Sequence, residues 1–187
     1  VESFSKKLRL PVRVRSACLG KNRSTGIEES ARILRYNALA RIAKETGARN
    51  VLTAHNKNDQ AETFFLNLLR GSGMDGLCAI YPVRTLDQVT GERKPRSIRL
   101  IRPLPPFTRE EILRTLSAQR RSCGRDSSNK LLKYRRNWVR HRLIPLMQKV
   151  QPKVIQRTAE LSDLFKNERE FRDLQTEEMR RVLLKPA

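Results

Sequence analysis

Residues 28 to 73 constrain the fold more than any other part of this chain. A helical pattern (Glu28 to Thr46) is followed by a short apolar run (Asn50 to Ala54), and that run by a second helical pattern (Asp59 to Arg70). In the first, Ile27, Ala31, Leu34, Leu39 and Ile42 fall near a 3.6-residue stripe. Glu28 and Glu29 suit its N-terminal dipole, and Gly47 suits the position just past its end. In the second, Phe64, Phe65, Leu68 and Leu69 are the expected buried side. The apolar run between them is short enough for a buried strand. Helix, strand and helix with tight connections predict an α/β domain on a parallel sheet. Substrate sites in such sheets lie beyond the carboxyl ends of strands, where His55 stands.

The remaining segments are read from the same signals. Residues 2–9 have the look of a helix tail. Pro11 to Ala17 alternates Val12 and Val14 with Arg13 and Arg15, as an edge strand does. Lys21 to Gly26 is a polar loop. Tyr81 to Leu86 and Ser97 to Leu104 are expected to be extended, joined through DQVTGERKPR as a hairpin or flexible loop. Thr108-Arg-Glu-Glu111 is a capping box opening a helix through Ala118. Arg120 to Asn129 is a basic loop. Lys133 to Val150 is a helix that Pro145 kinks or ends, and Val154 to Leu184 a long mixed-charge helix. The 187 residues suit one domain, or one domain with an appendage.

Charge decides the class of partner. The net charge is +21. Residues 1–50 carry 12 Lys+Arg against 4 Asp+Glu, and residues 81–150 carry 18 against 5. Residues 51–80 carry only 2 against 3, and residues 151–187 carry 8 against 7. Two basic blocks flanking a neutral centre point to a polyanion lying across a site. Nucleic acid is the favoured partner, since phosphate contacts supply most non-specific affinity; an anionic membrane surface is the lesser alternative. No apolar run approaches the roughly 18 residues of a membrane span, and no secretory signal opens the chain. Cys18, Cys78 and Cys123 are far apart, with no CxxC and two His in all, which argues against structural zinc and for a reducing cytoplasm.

Two constellations can carry chemistry. Asp59 and Glu62 are three apart at a helix start and share a face, and His55 precedes them by four residues. They could converge at one mouth to bind a proton, a metal or an amine. Equally, Asp-x-x-Glu at a helix start resembles a capping box that only holds backbone N–H groups. Arg70-Gly-Ser-Gly73 is either a helix stop or a loop whose amides approach an anion. Arg32 suits a solvated face; Tyr36, beside Arg35, suits either base stacking or a half-buried position. In the second constellation Tyr134 and Trp138 share one helical face, with Arg136 and Arg140 on the next. Arginines interleaved with aromatics suit single-stranded RNA, whereas Trp138 could instead dock on the core.

In order along the chain, the residues A31-R-x-x-R35-Y36, T53-A-H55-x-x-x-D59-Q-A-E62-T63, R70-G-S-G73-x-x-G76-L77, R102-P-L104, D126-x-x-N129 and Y134-x-R136-N-x-x-R140 resemble the tRNA(Ile)-lysidine synthetase family of N-type ATP pyrophosphatases. The resemblance spans about residues 28 to 147. It implies a Rossmann-like parallel sheet with flanking helices, of the adenine nucleotide alpha hydrolase-like kind. Residues 1–150 would be a partial catalytic domain, and residues 151–187 a connecting long helix toward a C-terminal region. It implies a ligase that uses ATP and Mg²⁺ to adenylate the wobble cytidine of tRNA(Ile) with anticodon CAU. L-lysine then displaces AMP to form lysidine. The implied catalytic cluster is His55, Asp59 and Glu62. Arg35, Arg70, Gly71, Gly73 and Arg136 would bind substrate, and Arg135 and Arg140 would bind RNA. The partners implied are that tRNA and lysine, with no membrane, and a homodimer is compatible with it. The family's Ser-Gly-Gly-x-Asp-Ser loop for ATP does not occur between Val1 and Ala187, so it and the first strands are expected upstream, and a metal site is left unassigned. Asn56 stands where the family often has a second His. The competing readings are another tRNA-modifying ATP pyrophosphatase, such as a thiolase, and a basic RNA-binding module without catalysis.

Overall fold

A computed structural model describes residues 2–16, 27–90, 98–121, 124 and 134–183. The loop at Lys21 to Gly26, the Gly91 to Ser97 part of the connecting segment, Cys18, Cys123 and the Asp126–Asn129 motif lie outside the described residues. The elements are α1 (Glu2–Lys7), α2 (Ile27–Thr46), β1 (Asn50–Leu52), α3 (Lys57–Leu68), α4 (Met74–Leu77), β2 (Val83–Thr85), α5 (Leu86–Thr90), β3 (Arg99–Ile101), α6 (Arg109–Ala118), α7 (Arg135–Trp138), a π-helical turn (Val139–Leu143), α8 (Ile144–Val150) and α9 (Val154–Leu183). They fall into two compact units, Val1–Thr53 with Val83–Ile101, and Ala54–Pro82 with Arg102–Ala187. The α/β order is as expected, but residue 150 is not a boundary between these units.

The first unit holds a three-stranded sheet of order β1-β3-β2. β1 runs parallel to β3, with Val51 opposite Leu100, and β2 runs antiparallel to it, with Arg84 opposite Leu100. The sheet is therefore mixed rather than all parallel. The reason is local: β2 reaches β3 through α5 and a short connection, whereas β1 reaches it by a long crossover. The connecting segment predicted as hairpin or loop thus opens as a helix. Leu86, Ile98 and Leu100 pack with Tyr36, Ala40 and Ala43 of α2, and Leu100 is fully buried at the centre.

The stripe expected to bury α2 faces elsewhere. Ala31, Leu34, Leu39 and Ile42 line a hollow of about 370 Å³, with Arg15, Arg35 and Ala38. α2 thus has apolar residues on two sides: Leu39 lines the hollow and also packs against the sheet cluster, while Ala31, Leu34 and Ile42 lie on the hollow side. Tyr36 is 4% exposed with the Arg32 guanidinium 5.4 Å from its ring centroid, so it is a core residue and not a base-stacking one. β1 is an edge strand, and Leu52 is exposed rather than buried. Residues 11–16 form no strand. Arg13 and Arg15 instead pair with Glu45 on α2 at 3.7 and 2.7 Å, and Val12 and Val14 are exposed.

The second unit is helical around α3. Ala61, Phe64, Phe65 and Leu66 pack with Val139, Ile144 and Val154, so α3 meets the π turn, α8 and α9. Leu68 and Leu69, expected on the buried side, are exposed beyond the last packed turn. Pro145 lacks the N–H that would reach His141, and its ring crowds that carbonyl. The helix answers with the π turn, where the Ile144 N–H donates to the Val139 carbonyl, and runs on through α8 instead of ending. α6 opens on the predicted capping box: Glu111 N–H donates to Thr108 Oγ1 at 3.2 Å, and Thr108 N–H to Glu111 Oε2 at 2.6 Å.

Candidate active site

α3 begins two residues after His55, and its first turn fixes the site. Asn56 is the N-cap. The Asp59 N–H donates to Asn56 Oδ1 at 3.2 Å, and the Asn56 N–H donates to Asp59 Oδ2 at 3.0 Å. A capping box does exist here, but three residues earlier than Asp59–Glu62. That shift separates the two acids. Asp59 spends one carboxylate oxygen on the cap and keeps Oδ1 for other partners, while Glu62 takes no part in it.

Glu62 sits one turn further along, and its side chain is 1% exposed. An ionised carboxylate this deep must be paired. Arg140 Nε donates to Oε1 at 2.6 Å and Arg140 Nη2 to Oε2 at 2.8 Å. Arg136 Nε donates to the same Oε2 at 2.9 Å. The arginines also reach Asp59 Oδ1, Arg136 Nη2 at 3.2 Å and Arg140 Nη2 at 3.5 Å. Two acids from α3 and two arginines from α7 and the π turn make a charge-balanced quartet. Burial works against the Arg140 charge, but the hydrogen bonds and attraction of Glu62, joined by Asp59, outweigh it and raise its pKa above the ordinary guanidinium value. Arg136 is the more open of the two, with its side chain 34% exposed against 15%.

α3 also orders the turn that follows it. Gln60, buried, accepts the Ile80 N–H at 2.9 Å and donates to the Cys78 carbonyl at 3.4 Å. Asn67 Nδ2 donates to the Gly76 carbonyl at 2.7 Å. Gly71 lies in the left-handed region at φ +74°, ending the helix with Gly71 N–H to the Leu68 carbonyl and Ser72 N–H to the Asn67 carbonyl. A Cβ on Gly76 would meet Ser72 Cβ at 2.5 Å. A Cβ on Gly73 would meet nothing within 4 Å, and its φ is −69°. The first half of the Gly-Ser-Gly run is thus a helix stop.

The structure brings Asp59, Glu62, Arg136 and Arg140 together, with half-buried His55 just before the cap. Arg70, Gly71 and Gly73 stand past the other end of α3, roughly 16 Å along its axis from Asp59 at 1.5 Å per residue. Arg35 belongs to the first unit, on the exposed side of α2. Arg135 faces outward, whereas Arg140, read from sequence as an RNA contact, faces the carboxylates. The capping role of Asn56 and the buried contacts of Gln60 are additions to the sequence expectations. The cap could have been found from Asn56-x-x-Asp59, which fits the N-cap rule as well as Asp59-x-x-Glu62 does. Among the described residues no group of three or more His, Cys, Asp or Glu could hold a metal ion. No helix among them is long and apolar enough to cross a membrane.

The first turn of α3 is also a poor seat for a nucleotide phosphate, because Asn56 accepts from it and Asp59 places negative charge there.

The fold and this ordered set of polar residues define a class, and the family described as PP-loop domain matches residues 1–147. The chain belongs to the PP-loop family. Among curated relatives it is 42% identical over 139 residues to a tRNA(Ile)-lysidine synthase of Synechocystis sp., covering 74% of this chain and 42% of that protein. It is 37% identical over 152 residues to the protein of that name in Thermosipho africanus, covering 81% and 31%. It is 33% identical over 187 residues to the one in Thermosynechococcus vestitus, covering 99% and 50%. The chain thus spans half or less of the length of these relatives.

Proposed function

We propose that this chain is part of an ATP-dependent ligase that joins lysine to the wobble cytidine of tRNA(Ile) bearing the anticodon CAU. The observation that carries the reading is the likeness, at 33% identity along 99% of the chain, to a tRNA(Ile)-lysidine synthase. The quartet supports it chemically. Bound ATP would supply the adenylyl group that activates the cytidine, with Mg²⁺ as its companion ion, and Asp59, Glu62, Arg136 and Arg140 would serve the lysine side.

A lysine ε-ammonium must lose a proton before its nitrogen attacks. Asp59 Oδ1 is the acceptor best placed for it, since Oδ2 holds the cap and Glu62 is saturated by guanidinium N–H groups. Arg136 is exposed enough to turn its free N–H groups to an anionic reaction partner. His55, at the same end of α3, positions the base or nucleotide. Arg35 contributes to phosphate binding, and the Arg70–Gly73 loop shapes the lysine subsite.

The test is transfer of ³H-lysine to the CAU-anticodon tRNA by the full-length protein, beside filter binding of that tRNA. Asp59→Asn keeps an oxygen for the Asn56 N–H and removes the charge. It is expected to abolish transfer and leave tRNA binding largely intact. Unchanged transfer would return Asp59 to capping alone, and no transfer by the unaltered protein would overturn the reading.

A further inference from the structure

The helix that supplies Arg136 and Arg140 to the quartet has a second, outward side. Residues 127–159 contain nine Lys+Arg and no Asp or Glu. Two of the nine, Arg136 and Arg140, are neutralised by Asp59 and Glu62. The burial pattern separates the rest. Asn137, Val139 and Ile144 are buried with the inward face, while Arg135, Trp138, Arg142, Leu146 and Lys149 are exposed. Their spacing of three or four residues makes one stripe along α7, the π turn and α8. Arg135, Arg142 and Lys149 enter no ion pair among the described residues.

Trp138 is the aromatic member of this stripe. It is the chain's only tryptophan and it is 44% exposed, so it does not dock on the core as one reading of the sequence had it. It stands between Arg135 and Arg142, three residues before it and four after. An exposed ring flanked by uncompensated cations is unfavourable as bare surface and suited to a ligand with both a flat face and negative charge. A protein partner would need acids and an apolar pocket together, whereas a nucleotide strand offers phosphates and bases at every step.

We propose that Arg135, Trp138, Arg142 and Lys149 form a docking stripe for a single-stranded RNA segment, with a base stacked on Trp138 and phosphates on the flanking cations. The stripe deepens the tRNA reading given above and rests on it for the identity of the RNA. It assigns the two sides of one helix to different tasks: the inner arginines to the carboxylates, the outer ones to the strand. Stacking and phosphate pairing both tolerate sequence, so the stripe supplies affinity and not base choice.

Trp138 reports on its own occupancy, because the intrinsic tryptophan emission of the 187-residue chain is its alone. Titration with single-stranded oligocytidylate, and with tRNA(Ile), is expected to quench that emission in step with binding followed by electrophoretic shift. Trp138→Ala is expected to weaken binding about tenfold while Trp138→Phe, which keeps a stacking face, stays near the parent. Arg142→Gln is expected to weaken binding and lower the slope of log K against log salt by about 1. Far-ultraviolet circular dichroism of each variant separates lost binding from lost helix, and Trp138→Phe serves as the folded reference. RNA bound with unchanged emission, or Trp138→Ala binding like the parent with its helix intact, overturns the stripe. So does quenching that is equally strong with a polyanion lacking bases, such as heparin. The lysine-transfer assay fails separately. Transfer with no effect of Trp138→Ala on binding sinks the stripe alone, and quenching without transfer sinks the ligase reading alone.

Discussion

Glu62 and Arg140 are 78 residues apart in sequence and face each other at 2.6 Å from Nε to Oε1. Their pairing is what ties the helix of the HxxxDQAET segment to the helix of the YRRNWVR segment. It is also the reason that a carboxylate with a 1% exposed side chain is tolerable inside the second unit. A pair of this kind adds little net stability over a well-packed apolar pair, but removing one partner strands the other.

Arg140→Gln should therefore destabilise the protein by about 3 kcal/mol, since it leaves the buried Glu62 with Arg136 alone. Arg136→Gln should cost about 1 kcal/mol, because the two-pronged contact from Arg140 remains and the side chain is already a third exposed. Urea unfolding of the two variants checks the order. Equal costs would mean that the partners are interchangeable.

Two glycines close together should respond oppositely to alanine. Gly76→Ala places a Cβ 2.5 Å from Ser72 Cβ and must shift the turn after α3, at about 1–3 kcal/mol. Gly73→Ala meets nothing within 4 Å, at an ordinary φ, and should leave stability within about 0.5 kcal/mol of the parent. If Gly73→Ala nonetheless lowers lysine transfer with melting unchanged, the open space at Gly73 belongs to a substrate.

The cap of α6 carries a pH dependence. The Thr108 backbone N–H, and then its hydroxyl, hydrogen-bond the Glu111 carboxylate and hold its pKa below the usual 4.5. A carboxylate with a lowered folded-state pKa stabilises the fold above its unfolded value and loses that contribution as pH falls through the folded one. Unfolding compared between the parent and Glu111→Gln should show the parent ahead at neutral pH. The gap should start to narrow as pH falls below the unfolded carboxylate pKa of about 4.3 and close once pH passes the lower folded one. A gap that persists at low pH would place the effect of Glu111 outside the cap.

Arg120 ends α6 in the left-handed region at φ +53°, where its N–H donates to the Ser117 carbonyl and the next N–H to the Leu116 carbonyl. A side chain there costs roughly 1 kcal/mol, so Arg120→Gly should raise stability by about that much. Thermal melting checks the sign. A lower melting temperature would show that the Arg120 side chain contributes contacts worth more than its backbone strain.

The sequence alone determined the local elements and the family. The helix expected over residues 28–46, its stop at Gly47, the presence of a helix over residues 59–68, the Thr108 cap and the long helix from Val154 are all set by neighbours within a few positions. The ordered polar motifs, being covalent facts, needed no fold to be compared. Tertiary structure decided whatever depends on residues far apart. It turned Tyr36, Ala40 and Ala43 of α2 to the sheet, with only Leu39 of the more regular stripe beside them, because two apolar sides of one helix cannot be ranked without knowing what lies opposite. It moved the cap to Asn56, since Asn56-x-x-Asp59 and Asp59-x-x-Glu62 both have capping spacing and the local sequence does not rank them. It also split one run of arginines into an inner pair and an outer stripe. Charge along a chain has no direction until a helix gives it one, and only the packing of α3 against the π turn showed which arginines face Glu62.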